Sequence, residues 1–263
     1  MKPRFPFRFG TTSYVFPADS LSNVKRLASV VDDIELVLFD VDDQSSLSSR
    51  ETVAPLRRLA KRHKLTYTVH LPLDLRLAAS GHLQQQSLQK ACWVIQSTLG
   101  LDPWAYVIHL NGAEIHSPPT PRARTDWLRQ AARSLETMAE EIGIPDRLAV
   151  ENLDSYSPCV FSPLLDRMSI SLCVDIGHLI NRAEDPLAYL EENLARTCVI
   201  HLHGSRRGRD HKGLDEMDDD LLASLLGVIL SRYYHGVLTL EVFLEQDFLS
   251  SKDYIHRFLE ARI

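Results

Sequence analysis

The sequence predicts an α/β fold, a (β/α)₈ barrel that forms a single domain over residues 1–263. The main observation is that eight short runs of apolar and β-branched residues alternate with segments of helical periodicity. A second observation is that most of these runs end in a polar residue, as parallel strands do when their carboxyl ends share one rim. A doubly wound sheet is the alternative. A doubly wound sheet that binds a dinucleotide has a Gly-rich first turn. The corresponding segment here, Gly10-Thr11-Thr12-Ser13, does not contain G-x-G-x-x-G, so the barrel is favoured.

The first half of the chain contains four predicted strands and the helices that follow them. The strands cover residues 7–10, 34–39, 65–71 and 105–110, and the helices cover residues 17–31, 50–63, 82–99 and 125–142. Leu21, Val24 and Leu27 show the spacing of one apolar helix face. Gly143 is a natural C-terminal stop for the fourth helix.

The second half repeats this order. The strands cover residues 147–152, 171–176, 197–202 and 237–242, and the helices cover residues 163–168, 185–194, 218–233 and 247–261. Asp185-Pro186 is a good helix start, and Asp218 to Asp220 form a solvated helix start whose carboxylates complement the dipole. Residues 203–220 are polar and mix both charges, which predicts a long loop acting as a lid or a substrate-binding element.

Composition favours a protein that acts on small molecules. The formal charge is −6 and the pI about 6.0, so nothing indicates a surface that follows a phosphate backbone. We therefore expect a small-molecule substrate and no nucleic-acid partner. No stretch approaches the roughly 20 apolar residues of a membrane span, so we expect no membrane association. The oligomeric state does not follow from the sequence.

The cysteines indicate a reducing compartment. Cys92, Cys159, Cys173 and Cys198 form no Cys-x-x-Cys pair, and the last two lie inside predicted strands. Reduced, buried thiols are the favoured interpretation. The first residues carry no apolar run of signal-peptide length. The sequence therefore predicts a cytoplasmic protein.

Ionisable side chains stand at the ends of the predicted strands. They are His70, His109, Glu151, Asp175, His178, His201 and Glu241, and His211 follows in the long polar segment. Because the carboxyl ends of barrel strands converge on one axis, side chains distant in sequence can share one ion. Imidazole and carboxylate together suit Zn²⁺, Mn²⁺, Fe²⁺ or Co²⁺, whereas carboxylates alone would favour Mg²⁺. The sequence therefore predicts a divalent metal site at this rim.

Simpler interpretations exist for single members of this set. A lone His on a strand is more often a hydrogen-bonded core residue than a ligand, and Asp175-x-x-His178 could be only a strand-end turn and helix cap. Glu151 and Glu241 are harder to explain in that way, because a buried carboxylate is costly without a cation or donors. These two are the predicted catalytic carboxylates.

Three arginines form a basic cluster in the long polar segment: Arg206, Arg207 and Arg209. They are either merely exposed or, beside a metal site, placed to hold a phosphate. The sequence contains no G-x-S-x-G motif and no P-loop, so it gives no support to a serine hydrolase or an NTPase.

The motifs at the strand ends resemble those of a known family. VHLP, IHLN, VENLD, VDIGH, IHLHG and LEVF, in that order, are similar to the motifs of the xylose isomerase-like TIM barrels. That superfamily includes sugar isomerases and epimerases and the endonuclease IV group of phosphodiesterases. The resemblance implies that the eight residues named above occupy metal-ligand positions. His203 stands where the phosphodiesterases usually carry Asn, and Arg209-Asp210-His211 replaces their D-x-H, which weighs against a third metal ion.

A closer resemblance lies in the N-terminal part. GTTSYVFPADSLSNVKRLASVVDDIELVLFD, followed by LTYTVHLPLDLRL, is similar to the cobamide-remodelling phosphodiesterases of the CbiR type. This implies that metal-activated water hydrolyses the nucleotide-loop phosphodiester of a cobamide and releases a cobinamide species. Arg206 and Arg209 would stabilise the developing charge, as catalytic residues beside the two glutamates. The residues expected to bind substrate are Tyr14, Asn111, Asn152, His203 and Arg207.

Other functions stay open. A sugar or polyol isomerase or epimerase, acting for instance on a phosphorylated sugar, would use the same metal rim and move a proton between Glu151 and Glu241. A non-catalytic corrinoid or metal carrier would bind its ligand without turnover. A structural barrel would hold no metal at all.

Overall fold

The computed structural model describes residues 5–37, 50–112, 115, 119–206 and 209–260. The strands in these residues are β1 (Arg8–Thr12), β2 (Asp33–Val37), β3 (Thr66–His70), β4 (Ala105–Ile108), β5 (Leu148–Glu151), β6 (Ser171–Asp175), β7 (Thr197–Leu202), β8 (Gly204–Arg206), β9 (Arg209–Lys212) and β10 (Val237–Leu240). Eight of them are parallel and close into a barrel in the order β1-β10-β7-β6-β5-β4-β3-β2. The predicted (β/α)₈ TIM barrel is confirmed.

Helices follow the barrel strands and surround them. They are α1 (Ser20–Leu27), α2 (Arg50–His63), α3 (His82–Thr98), α4 (Pro121–Ile142), α5 (Ser162–Leu165), α6 (Ile176–Asn181), α7 (Pro186–Asn193), α8 (Asp219–Ser231) and α9 (Glu245–Glu260). The larger hydrophobic core lies between these helices and the outer face of the barrel.

Local sequence explains where several helices begin and end. The Asp19 carboxylate accepts a hydrogen bond from the Ser22 N–H at 2.9 Å and starts α1. Asp218 caps α8 in the same way, so the predicted helix start is confirmed there. Gly143 ends α4 with a φ of +76°, a left-handed conformation in which a side chain would be strained.

The inside of the barrel is small and apolar at the amino ends of the strands. Its residues form a separate cluster, which consists of Ala105, Val107, Ala149, Cys173, Val199 and Val237. Because side chains alternate along a strand, the residue two positions further on faces the same interior. Ala149 is thus followed by Glu151, Cys173 by Asp175 and Val199 by His201. The ionisable residues lie directly above this inner core, at the carboxyl ends of the strands.

Two elements differ from the prediction. The segment 203–220, predicted as a loop, contains the antiparallel hairpin of β8 and β9. Helix α6 follows β6 without a loop, because the Asp175 carboxylate accepts a hydrogen bond from the His178 N–H at 2.6 Å and caps the helix. The predicted end of the second strand, residues 38–39, lies outside the described residues.

All four cysteines are free thiols, but the predicted burial holds only for Cys173 in the inner core, because Cys159 is exposed and Cys92 and Cys198 are half-buried. Among the helices of the described ranges, none is both long and apolar enough to cross a bilayer.

Candidate metal centre

The first ligand group consists of His70, His109 and Glu151, from the ends of β3, β4 and β5. Glu151 Oε2 lies 3.1 Å from His70 Nε2 and 2.9 Å from His109 Nε2. The two imidazoles meet edge to face, with ring centroids 4.9 Å apart. One ligand atom from each residue lies within 4.8 Å of the others, so a single ion could bind all three.

The second ligand group consists of Glu151, Asp175, His201 and Glu241, and all four residues are buried. His201 Nδ1 lies 3.2 Å from Glu151 Oε1 and 3.2 Å from Glu241 Oε2. Asp175 Oδ2 is 3.8 Å from the same nitrogen. Glu151 therefore links the two groups, since Oε2 faces the first and Oε1 faces the second.

The third ligand group consists of His178, Asp210 and His211, which lie on α6 and β9. Asp210 Oδ2 is 3.9 Å from His178 Nε2 and 4.0 Å from His211 Nε2. The side chains of these three residues are 11%, 25% and 28% exposed, respectively. This group is the most open to solvent of the three.

The pKa values at the centre reflect buried carboxylates packed against imidazoles. Burial raises the pKa of Glu151, but His109 and His201 beside it hold that pKa well below its usual range. Burial also raises the pKa of Glu241, but His201 beside it holds that pKa well below its usual range. Burial lowers the pKa of His70, yet its hydrogen bond to Glu151 raises it overall to about 9. Positive charge is favoured at this rim, whether carried by protons or by a cation.

Two details fit a bound divalent cation. His70 faces an acceptor at each ring nitrogen, because Leu71 O lies 2.9 Å from Nδ1 and Glu151 Oε2 lies 3.1 Å from Nε2. A neutral imidazole has one N–H, so the Glu151 side needs a second proton or a cation. Glu241 Oε2 is buried without a hydrogen-bond partner, although the Nδ1 atoms of His201 and His211 lie 3.2 and 3.4 Å away. A nitrogen and oxygen donor set of this kind suits Zn²⁺ and similar ions.

Glu35 on β2 is a residue of the centre that sequence reasoning missed. It is fully buried, and its Oε2 lies 2.8 Å from His201 Nε2. When Nε2 donates to Glu35, Nδ1 is the nitrogen that keeps its lone pair toward the second ligand group. A charged residue inside the apolar run IELVLF was the available signal. Glu35 lies within the strand, however, and ligands were expected only at strand ends.

Asp210 was also missed. Burial raises the pKa of Asp210, but a hydrogen bond with His203 outweighs this and lowers it to about 2. Asp210 Oδ1 lies 3.2 Å from His203 Nδ1. The hairpin brings Asp210 to the centre, and no sequence pattern indicated that hairpin because its strands are short and polar.

The residues predicted to bind substrate have varied surroundings. Asn152 is fully buried, and its amide donates to Asp175 O at 2.8 Å and accepts from Asp175 N–H at 2.9 Å. It therefore positions Asp175 and is not open to a substrate. Asn111 is half-buried and donates to Leu73 O at 2.8 Å, and Tyr14 is half-buried after β1. His203, also predicted here, is fully buried between Asp175 and the hairpin.

The predicted phosphate-binding arginines do not gather at the centre in the described residues. The Arg209 guanidinium donates to Glu216 at 2.8 Å, and its side chain is 61% exposed. Arg207 and the side chain of Arg206 lie outside the described residues. The predicted metal ligands do converge, since all eight belong to one of the three ligand groups.

Comparisons with known proteins agree with this architecture. A family model described as xylose isomerase-like TIM barrel matches residues 25–258. A structure described as a D-tagatose 3-epimerase-like protein is 20% identical, with a TM-score of 0.80 over 97% of this chain and 98% of that one. Endonuclease IV from Thermus thermophilus is 19% identical, with a TM-score of 0.71 over 97% and 99% of the two chains. An L-ribulose 3-epimerase is 16% identical, with a TM-score of 0.75 over 97% and 95%.

No curated protein matches this sequence. At these identities the solved structures show a shared fold, and that fold is common to proteins named as epimerases and to one named as an endonuclease. The closer resemblance to the CbiR type stays a prediction.

Proposed function

Because the chain belongs to the xylose isomerase-like TIM barrel family, we propose that it is a metal-dependent phosphodiesterase that hydrolyses the nucleotide loop of cobamides. One observation carries the hydrolase assignment: three ligand groups crowd around Glu151. Glu151 belongs to the first two groups, and its Oε1 lies 3.6 Å from His178 Nδ1 of the third. Adjacent cation sites suit phosphoryl transfer, because charge develops on several oxygens at once. The corrinoid substrate rests on the N-terminal sequence resemblance.

The substrate would approach from the side of the third ligand group. Asp210 and His211 are the most exposed residues of the three groups, and the His109 side chain is 15% exposed. The remaining ligands are nearly or fully buried. A divalent ion at this rim would polarise a phosphoryl oxygen and lower the pKa of water toward neutrality.

The protein's own residues would then bind and orient the phosphodiester. In the hydrolysis, water adds to phosphorus, one P–O ester bond breaks, and the leaving oxygen takes up a proton. Glu151 and Glu241 hold the imidazoles in place around the reacting group. Arg206 and Arg209 on the hairpin are proposed to hold the phosphate oxygens, which for Arg209 requires exchanging its present partner, Glu216.

Product analysis tests this proposal. The full chain, loaded separately with Zn²⁺, Mn²⁺, Fe²⁺ or Co²⁺, is incubated with adenosylcobalamin, and products are separated by HPLC and identified by mass spectrometry. We expect a cobinamide species, and loss of activity in Glu151→Gln. Glu140→Gln, which changes an exposed glutamate on α4, is the matched control. A corrinoid that stays intact with every metal contradicts the substrate assignment.

The second ligand group supports a second candidate, a sugar or polyol epimerase or isomerase. Glu151, Asp175, His201 and Glu241 form a compact, buried set that needs none of the other residues to hold one ion. Two carboxylates facing one substrate could move a proton between them. A panel of keto-sugars and sugar phosphates, together with bis(4-nitrophenyl) phosphate and a DNA duplex, separates the candidates. Sugar conversion without phosphodiester cleavage favours the epimerase.

A further inference from the structure

His203 lies buried between the barrel and the hairpin. It follows β7 and is fully inaccessible to solvent. Its Nε2 is 3.2 and 3.1 Å from the two carboxylate oxygens of Asp175, a member of the second ligand group. Its Nδ1 lies 3.2 Å from the backbone nitrogen of His211, 3.2 Å from Asp210 Oδ1 and 3.3 Å from Gly204 O. One ring therefore contacts the second ligand group on one side and the third on the other.

The backbone that His203 contacts is in an unusual conformation. His211 has a φ of +52°, in the left-handed region that is unfavourable for a residue with a side chain. Its N–H also donates to Asp210 Oδ1 at 3.1 Å. Asp210 Oδ1 lies in turn 3.2 Å from His203 Nδ1. The left-handed turn that presents Asp210 and His211 is therefore closed against the His203 ring.

The ring position is fixed by packing as well. The His203 and His211 rings lie with centroids 4.4 Å apart and planes inclined by 35°. Gly177 in α6 also lies against the ring, because a Cβ atom there would overlap the His203 imidazole. Only a residue without a side chain leaves room for the ring at this point.

We propose that His203 is a positioning residue that fixes the spacing of two ligand groups. Through Nε2 it orients the Asp175 carboxylate, and through Nδ1 it holds the turn that carries Asp210 and His211. The consequence for metal binding rests on the proposed function, whereas the link between the barrel and the hairpin does not. This role replaces the substrate contact expected for His203, because the ring is buried and its two nitrogens face protein groups.

Three substitutions separate the two contacts. An Asn side chain places its amide near the position of Nδ1, so His203→Asn keeps a polar group that faces Asp210 and the His211 N–H, and it loses the donor to Asp175. A Gln side chain reaches the position of Nε2, so His203→Gln keeps that donor and loses the polar group at the position of Nδ1. His203→Phe removes both. His235→Asn and His235→Gln are the matched controls, because His235 is exposed and bonds only Pro6 O among its described contacts, at 3.0 Å.

Zinc binding provides the first readout. The metal-depleted full chain is titrated with Zn²⁺ by calorimetry, and bound zinc is counted by elemental analysis, beside the reference variants Asp175→Asn and His211→Asn. We expect His203→Gln to lower the affinity for one equivalent of zinc by about 10- to 100-fold, and this should be the equivalent whose affinity His211→Asn also lowers. We expect His203→Asn to lower the affinity for the zinc equivalent whose affinity Asp175→Asn also lowers. If His203→Phe binds zinc with unchanged number and affinity, the positioning role is overturned.

Amide hydrogen exchange provides a readout that needs no metal. In the metal-free protein, peptides covering residues 204–212 should exchange faster in His203→Gln and His203→Phe than in His203→Asn and the His235 controls. Equal exchange in all of them overturns the proposal. If the hairpin responds as expected but no variant or unmodified protein binds zinc, the link through His203 stands and the metal-dependent function fails.

Discussion

Four carboxylates at the rim are buried away from water. Glu35, Glu151, Asp175 and Glu241 are all at most 5% exposed as residues. An isolated buried carboxylate is strongly unfavourable, so each depends on the imidazoles and any cation around it. The His201 ring lies within 3.2 Å of three of the four and 3.8 Å from the fourth, which makes it the central partner of this set.

Glu35 should control how strongly His201 binds a metal. The Glu35 carboxylate accepts from His201 Nε2 and thereby raises the basicity of Nδ1. We expect Glu35→Gln, which retains an acceptor but loses the charge, to lower Zn²⁺ affinity by about 10- to 100-fold. Calorimetric titration measures this, with Glu140→Gln as the control. An affinity equal to that of the unmodified protein would mean that Glu35 does not act through His201.

Asp33 should make stability depend on pH. Burial raises its pKa from 3.8 to about 6, against a smaller effect of the hydrogen bond from Thr66. The carboxylate therefore favours the folded state in its protonated form, and this contribution is lost as pH rises from about 4 to above 6. The loss amounts to about 3 kcal/mol at neutral pH.

Asp33→Asn should remove this loss, because the Asn oxygen can still accept from Thr66 Oγ1, which lies 2.6 Å from the carboxylate. Urea unfolding with chelator at pH 4, 5, 6 and 7 compares the two proteins. The free energy of unfolding of the variant, relative to the unmodified protein, should increase across this range. A difference that is independent of pH contradicts the raised pKa of Asp33.

The sequence revealed residues whose position follows from a strand end, and missed those that depend on side-chain direction. His70, His109, Glu151 and Glu241 could be predicted because each follows an apolar run. Glu35 could not be assigned, because only the closed barrel shows that it points toward His201. The contacts of Asn152 with the Asp175 backbone could not be predicted, since nothing in the sequence distinguishes an amide open to substrate from one bound to a neighbouring backbone.

At the level of elements, the hairpin and α6 together form the third ligand group. Both follow barrel strands directly, and the Ser205 hydroxyl donates to the Asn181 side chain and ties one to the other. His203 and Gly177 lie at the same junction. The spacing of the third group therefore depends on how closely β8 and α6 approach.

Gly177 should tolerate no side chain as long as His203 is present. Ala normally stabilises a helix interior relative to Gly by about 1 kcal/mol. Here the added Cβ overlaps the His203 ring, so we expect Gly177→Ala to lower the free energy of unfolding by about 1–3 kcal/mol. In a His203→Ala background the same substitution should be neutral or stabilising. Chemical denaturation of the four proteins in this cycle provides the measurement.

Gly227 in α8 provides the matched control for this cycle. No atom lies within 4 Å of a Cβ placed there, so Gly227→Ala should stabilise in both backgrounds. If Gly177→Ala lowers the free energy of unfolding equally with and without His203, the loss of stability is not caused by overlap with the His203 ring.

Strands were predicted correctly where the sequence contains a run of apolar and β-branched residues. The barrel strands carry such runs, and the predicted ranges overlap all eight of them in the described residues. β8 and β9 contain only three and four residues, of the polar sequences GSR and RDHK. Neither strand carries an apolar period of two, so the segment was predicted as a loop.

For the whole molecule, repetition made the barrel predictable, because eight strand-and-helix units leave few other arrangements. The sequence could not predict how the ligands of the rim combine into overlapping groups, three of which are described above, since these combinations depend on distances of a few ångströms between residues far apart in the chain. It is the folded barrel that gives Glu151 its place in two groups.

Metal binding should stabilise the whole protein. An ion that binds only the folded state adds about 2.7 kcal/mol at a free concentration one hundred times its Kd. For a chain of this size we expect a Tm higher by about 5–10 °C with saturating Zn²⁺ than with EDTA. Scanning calorimetry of the unmodified protein and Glu151→Gln measures the shift. A Tm that zinc does not change in the unmodified protein would show that the rim binds no such ion.

Closure of the barrel sets the order in which the centre can assemble during folding. The Thr11 hydroxyl donates to Leu240 O, and the Thr12 hydroxyl donates to Val242 O. These two contacts flank Glu241, and each joins a pair of residues separated by about 230 positions in the sequence (229 and 230, respectively). Contacts so distant in sequence form slowly, because the chain entropy of a very long loop must be lost first. The first ligand group needs only neighbouring strands. We therefore expect zinc added before closure to act on the folding rate as well as on the final stability.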